Sequence, residues 1–184
     1  MCAILEYRLP MKKILAALLL FSLNALADTK LVNFTIQFGT SSLSVDGEET
    51  DGFGLNASTE LYFTNVYGWN LVYGNATTTA EDINIYSKEA EDVSINNQSL
   101  RVGPFYSPLK GLRLGSGASF TRIKQDINYT DNTEDDSSSL FATPYLAVAY
   151  DLPIEHLILG AQFYYANFGD YEQTDLLLNF GYRL

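Results

Sequence analysis

The sequence has little of several residue types, and each shortage excludes a class of protein. Its 184 residues contain one cysteine, Cys2, and one histidine, His156. A disulfide framework and a metal site built from cysteine and histidine are therefore excluded. Basic residues number 11 against 22 acidic ones, and the formal net charge is -11. This argues against a nucleic acid partner, because phosphate binding needs clustered Lys and Arg. No apolar run reaches the length of about 18 residues that a membrane-spanning helix needs.

The first 27 residues have the layout of a secretory leader. A positive start is followed by a short apolar run over 14–21 and by a small-residue cleavage site that ends at Ala27. We predict a true start at Met11 and cleavage after Ala27. The mature chain is then one domain over 28–184, which is an ordinary size for a single domain.

Apolar residues alternate with others along the rest of the chain, as is typical of strands with one apolar face. In the clearest example, Tyr67, Trp69, Leu71 and Tyr73 occupy every second position of a nine-residue segment. The alternation predicts eight strands, over 30–38, 53–63, 66–74, 99–107, 111–122, 141–150, 156–166 and 174–184.

The connections between these strands fall into two groups by length. Tight turns are predicted at 64–66, 108–110 and 151–155. Longer polar connections are predicted at 39–52, 75–98 and 123–140, with a shorter one at 167–173. If both termini lie on one side, the tight turns lie on that side and the longer connections on the other. We therefore predict an all-β, eight-stranded, antiparallel up-and-down transmembrane barrel with short periplasmic turns and long extracellular loops.

Charge decides whether lipid or water surrounds the barrel. Alternation alone cannot decide this, because the strands of a soluble lipocalin-like barrel would alternate as well. The predicted strands hold few charges, and with the apolar face outward only Arg122 points away from the lumen. The others form a predicted charge network: Glu60, Arg113 and Arg183 paired near the periplasmic end, with Asp175 and Arg101 higher up. Charges in so narrow a lumen are costly when unpaired. The alternative, in which each group contacts lumen water, stays open.

Outward aromatic residues fall into two levels, as expected of rings that prefer the two interfaces of a bilayer. Near the short-turn end lie Phe63, Tyr67, Trp69, Tyr106, Tyr150, Phe180 and Tyr182. Near the long-loop end lie Phe38, Phe53, Tyr73, Phe120, Phe163 and Tyr165. The alternative is that Tyr and Phe are simply good strand formers.

In its strand pattern, connections and outward aromatic residues, the chain resembles the small eight-stranded outer-membrane barrels of the OmpA and OmpX type of Gram-negative bacteria. The resemblance covers nearly all of 28–184 and is most specific at the C-terminus, where apolar residues alternate to the end of the chain. These residues are Leu176, Leu178, Phe180, Tyr182 and Leu184. They are similar to the terminal signal that the barrel-assembly machinery reads in this family, with Leu184 in place of the usual final Phe.

The resemblance implies a non-enzymatic integral outer-membrane protein with a structural or surface-interaction role. Its expected partners are outer-membrane lipid, lipopolysaccharide and the assembly machinery, with no cofactor, and the barrel is expected to be a monomer. Two alternatives stay open: a narrow channel for small solutes, and a soluble periplasmic lipocalin-like binding barrel. A lipid-modifying enzyme is disfavoured, because His156 falls at a periplasmic turn, far from the outer leaflet.

The predicted loops carry most of the acid. The acidic residues there are Asp46, Glu48, Glu49, Asp51, Glu81, Asp82, Glu89, Glu91, Asp92, Asp126, Asp131, Glu134, Asp135, Asp136, Asp170 and Glu172. Such loops could bind divalent cations, and 131–136 is the best candidate for calcium. That segment lacks a Gly at the sharp-turn position of the calcium loop, so solvated loops are the preferred interpretation.

Overall fold

The computed structural model describes residues 31–131, 133–152 and 154–184. The predicted leader, the start at Met11 and the predicted domain boundary at 28 lie outside these residues. In the part of the chain that the structure describes, no helix is long and apolar enough to span a membrane.

Eight antiparallel strands follow one another in chain order and close into a ring, because β1 also pairs with β8. The predicted fold class is therefore confirmed. The strands are β1 (Leu31–Val45), β2 (Glu48–Tyr62), β3 (Tyr67–Ile85), β4 (Lys88–Leu109), β5 (Leu112–Tyr129), β6 (Glu134–Asp151), β7 (Leu157–Asn167) and β8 (Tyr171–Arg183).

The prediction of long loops was wrong. The segments 39–52, 75–98 and 123–140 are mostly paired strand, and the connections at their tips span only 46–47, 86–87 and 130–133. We call this end of the barrel the upper end; the opposite end, with connections 63–66, 110–111 and 152–156, is the lower end. The strands continue because Ser, Thr and Asn on them still alternate with inward apolar residues, a pattern that suits a strand whose outer face meets water.

Turn geometry explains one of the missed hairpins and leaves a second unexplained. Asp46 and Gly47 both have positive φ, of 53° and 86°, which is the Asp-Gly pattern of a two-residue hairpin turn. That pair was a readable signal inside the segment predicted as a loop. Tyr86 and Ser87 also have positive φ, of 52° and 63°. Neither is a residue that favours this conformation, so the sequence gives no sign of that turn.

The inner face of the sheet changes from polar in the lower part of the barrel to apolar in the upper part, and the outer face changes in the opposite sense. In the lower part of β1, Asn33 and Gln37 are buried in the lumen while Phe34 and Ile36 are exposed outside. Near the upper end of the same strand, Leu43 is buried inside, and its neighbours are serines. The lower part is therefore polar inside and apolar outside, whereas the upper part has an apolar interior like that of a water-soluble protein.

The ring is incomplete at its upper end along β6. Strand β6 pairs with β5 from Glu134 onward, but it pairs with β7 only from Tyr145 to Asp151. The free edge arises because β7 and β8 form the shortest hairpin. Residues 134–144 therefore present backbone donors and acceptors that β7 does not reach.

A proline within a strand lacks a backbone donor and favours a bulge, but neither Pro104 nor Pro144 shifts the register of its strand. Pro144 lies where the pairing of β6 with β7 has stopped, so its missing N–H falls at the free edge. Pro104 keeps its register with Trp69, and the pairing of β4 with β5 skips two residues between Val102 and Phe105 without a shift.

Candidate functional site: the filled lumen and the sheet above it

Arg113 of β5 is the centre of the charge cluster at the lower end of the lumen. Its Nε lies 3.1 Å from Oε1 of Glu60 on β2, and its Nη1 pairs with the carboxylate of Asp151 on β6. All three side chains are buried. Asn179 of β8 donates from Nδ2 to Oδ1 of Asp151 at 3.2 Å. The cluster thus joins four strands across the barrel.

Arg183 does not form the direct ion pair with Glu60 that was predicted for the plug. It is only partly buried, and its Nε donates to Oδ1 of Asn33 at 3.4 Å, while Nδ2 of Asn33 donates to Oε2 of Glu60 at 3.0 Å. Arg183 therefore reaches Glu60 through an amide. The second partner of Arg113 is Asp151, which the sequence prediction had placed in a turn.

Arg101 lies higher in the lumen and is 1% exposed. Its guanidinium carbon is 4.0 Å from the ring centre of Tyr164, in a cation–π arrangement, and its Nη1 is 3.9 Å from Oδ2 of Asp175. Asp175 is held in turn by Ser41, whose hydroxyl donates to Oδ1 at 2.6 Å, and by Gln173 at 2.9 Å.

The lumen below the upper hairpins is balanced in charge and filled with side chains. Its charged groups are Arg101, Arg113 and Arg183 against Glu60, Asp151 and Asp175. Between the two charged levels, Nδ2 of Asn56 donates to Gln37 at 3.2 Å, and Gln37 donates to Gln162 at 2.9 Å. The space beside Arg113 and Glu60 has a volume of only about 10 Å³, about the room that one water molecule needs.

Buried apolar residues close the upper end of the lumen. We call them the apolar cap: Leu43, Val45, Ile85, Ala90, Val93, Ile95, Ile123, Ile127, Tyr129, Phe168 and Tyr171, with Phe141 packed against them. The Tyr171 hydroxyl donates to Oε1 of Gln125 at 2.7 Å and lies 3.4 Å from the Tyr86 hydroxyl at the tip of the β3–β4 hairpin. Burial, and then the contact with Tyr86, raises the pKa of Tyr171. Sequence reasoning missed the cap because its members lie in segments predicted as loops.

The outer surface of the lower part carries all thirteen aromatic residues predicted for the two levels. They point away from the lumen, and most are large exposed rings. Phe38 of the predicted upper level and Phe180 of the predicted lower level are in contact, with ring centres 5.5 Å apart. The C-terminal residues Leu176, Leu178, Phe180 and Tyr182 also point outward on β8, and Leu184 follows the strand.

The outer surface of the upper part carries acid across four neighbouring strands. Glu81 of β3 lies opposite Asp92 of β4, and Asp126 of β5 lies opposite Asp136 of β6. Like charges in such positions repel one another, and the exposed row runs from β3 to β6, whose upper edge is free. We call these four residues the acidic row.

The described residues form neither a catalytic site around His156 nor a metal-binding cluster. His156 is exposed at the lower end, stacked on Tyr182 with ring centres 5.9 Å apart. The residues that the structure describes include no group of three or more His, Cys, Asp or Glu placed to hold a metal ion. In the calcium candidate, Asn132 is outside the described residues, and Oδ1 of Asp131 accepts from the backbone N–H of Thr133 at 3.0 Å. Hydrogen bonds from Thr133 lower the pKa of Asp131.

A polar lumen inside an apolar outer surface is the arrangement of a barrel in lipid. Residues 14–183 match the family model of the outer membrane protein beta-barrel domain. The chain belongs to this family. It is an integral outer-membrane barrel of the Gram-negative type, so the predicted location is confirmed.

Solved structures share the fold of this outer-membrane barrel. Ail, the attachment invasion locus protein of Yersinia pestis, in complex with the heparin analogue sucrose octasulfate, is similar with a TM-score of 0.63 and 16% identity. The match covers 84% of this chain and 98% of Ail. Neisserial surface protein A is similar with a TM-score of 0.50 and 12% identity, over 84% of this chain and 96% of that one. Among curated proteins, none matches the chain.

Proposed function

We propose that this outer-membrane barrel is a non-conducting, non-enzymatic surface-interaction protein. The observation that carries the proposal is the continuation of β3, β4, β5 and β6 above the apolar surface as an acidic sheet with a free edge. A barrel whose only role was to lie in the membrane would not need hairpins that extend above the apolar surface around their own apolar cap. Such a cap holds the sheet rigid, and rigid scaffolds suit binding surfaces.

The chemistry of the sheet favours a basic, extended partner segment. The acidic row attracts cations, and residues 134–144 of β6 offer unpaired backbone groups to which a strand can add. Ail is similar in fold and was solved in complex with sucrose octasulfate, a heparin analogue. The acidic row would repel such a polyanion, so the partner of this chain should differ in charge.

A binding measurement with a defined probe tests this function. The probe is a twelve-residue peptide of alternating Lys and Thr, titrated against the barrel in lipid nanodiscs. We expect Asp126→Asn with Asp136→Asn to weaken binding at least fivefold, and added salt to weaken it further. The matched control is Glu155→Gln at the exposed lower end, which should leave binding unchanged.

A second peptide separates strand addition from simple charge attraction. Prolines in place of the threonines of the probe keep its charge and remove half of its backbone donors. Binding should fall at least tenfold for this peptide. Equal binding of the two peptides would contradict use of the β6 edge, and no binding of either would contradict the surface role.

The narrow-channel alternative makes the opposite prediction in planar bilayers. An ion would have to pass the apolar cap and then the Arg113 cluster, where the free volume is about that of one water molecule. We therefore expect no steady conductance from the wild-type barrel. Regular single-channel steps would favour the channel over the surface role.

A further inference from the structure

A groove runs along β2 on the outer surface of the barrel. Its floor exists because Ala57 and Thr59, which are small, lie between larger outward residues on both neighbouring strands. Ala57 is paired with Ile36 and Tyr73, and Thr59 is paired with Phe34 and Leu71. The groove has a volume of about 540 Å³, which is within the range of small-molecule sites.

The groove lies at the depth of the hydrocarbon. At its lower end stand Phe180 and Tyr182, which belong to the lower set of rings, and at its upper end stands Tyr73 of the upper set. Its outward-facing walls are otherwise apolar, and Thr59 is the one outward side chain on its floor with a hydroxyl. A ligand that fills this space must therefore be apolar along its length.

We propose that this groove binds one acyl chain of a phospholipid from the periplasmic leaflet. It is continuous with the lipid-facing surface of the barrel, and its lower ring residues place its mouth near the periplasmic interface. A second barrel is a poorer occupant, because twelve residues line the groove and a stable protein interface uses about 20–30 residues a side. The proposal rests on the membrane location and is independent of the surface role.

We therefore expect one lipid to stay with the barrel when the bulk bilayer is removed. Native mass spectrometry of the barrel released from detergent micelles should show one retained phospholipid. The double variant Ala57→Phe with Thr59→Leu fills the groove and should lose at least four fifths of that retained species. The control Ala161→Phe places the same ring on the outward face of β7, between Tyr150 and Leu178, and should retain the lipid.

Three outcomes would overturn the proposal. One is an equal amount of retained lipid in all three proteins. Another is retention of a lipopolysaccharide fragment instead of phospholipid. The third is a dimer that the double variant abolishes, which would assign the groove to a second copy of the chain.

A fluorescence measurement on the wild-type protein covers the case in which the double variant does not fold. Trp69 is the sole tryptophan, points outward and lies two residues below Leu71 on the same strand, about 7 Å away along the strand. After transfer from bilayers of phospholipid with brominated acyl chains into detergent, its emission should stay quenched by at least a third. Full recovery of emission on transfer would contradict a retained chain.

Discussion

At the residue scale, Arg113 carries the most connected charge in the lumen. Its guanidinium pairs with two carboxylates from different strands. Removal of one partner from a buried ion pair lowers the free energy of unfolding by about 3–5 kcal/mol. The sequence predicted the pairing partner Glu60 and the inward position of Arg113, whereas Asp151 needed the structure. Strand β6 ends at Asp151, just beyond the predicted strand over 141–150, and the sequence pattern places this carboxylate in a turn.

We therefore predict that Arg113→Met lowers the free energy of unfolding by about 3–5 kcal/mol, because Glu60 and Asp151 are left buried and unpaired. Urea titration of the barrel in micelles, followed by tryptophan fluorescence, measures the change. Arg122→Met is the control: Arg122 is exposed outside and bonded to Ser138 at 3.1 Å, so the change should stay within about 0.5 kcal/mol. Similar losses for both variants would contradict a special role of the Arg113 cluster.

A second prediction at this scale concerns Tyr171 and pH. Because burial raises its pKa above that of the unfolded chain, the folded protein holds the proton more tightly. The stability that results is present below pH of about 10 and is lost as the pH rises through the folded pKa. Near-ultraviolet circular dichroism should show the tyrosine signal of the apolar cap falling in alkaline solution. Tyr171→Phe should reduce this pH dependence, and an unchanged alkaline transition would contradict it.

At the scale of the element, the long hairpins depend on the apolar cap. Pairing alone rarely holds a two-stranded hairpin in water, and Ile95, Ile123 and Ile127 are each about 1% exposed. Their alternation with polar neighbours was visible in the sequence. The polar content of those segments predicts loops instead, and only the closed ring shows that the isoleucines share one interior.

We predict that Ile127→Ala loosens the β3–β4 and β5–β6 hairpins while leaving the membrane part folded. The loss of these contacts at a buried site lowers the free energy of unfolding by about 2–5 kcal/mol. Limited digestion with trypsin should speed up at Lys88 and Lys124, the two lysines of the upper sheet. The control Ile36→Ala changes an outward, lipid-facing residue and should leave both cleavage rates as they are. Cleavage that stays slow in both variants would show that pairing alone holds the hairpins.

At the scale of the whole molecule, we predict that assembly into the membrane depends on the last strand. The alternating residues Leu176, Leu178, Phe180 and Tyr182 face outward on β8, and Leu184 follows them in the same alternation. We predict that Leu184→Phe increases the folded fraction in outer membranes, and that Leu184→Asp decreases it. The assay is the ratio of heat-modifiable to unfolded bands in unboiled gel samples. No change in either variant would remove Leu184 from the assembly signal.

The sequence by itself determined the strand count, the inward or outward direction of the strand residues and the resemblance to outer-membrane barrels. These follow from a period of two and from the near absence of charge on the lipid-facing side, which are local properties of the chain. The Asp46-Gly47 turn was readable in the same way.

Only the tertiary structure decided where the strands stop, which charges meet and what closes the lumen. Asp151 forms an ion pair with Arg113, whereas Arg183 forms a hydrogen bond with Asn33. The register around the ring decides this, because it sets which inward side chains lie at the same level. The free edge of β6 and the groove along β2 also arise from neighbouring strands of unequal length or side-chain size. Such contacts join residues far apart in the chain, and no local pattern encodes them.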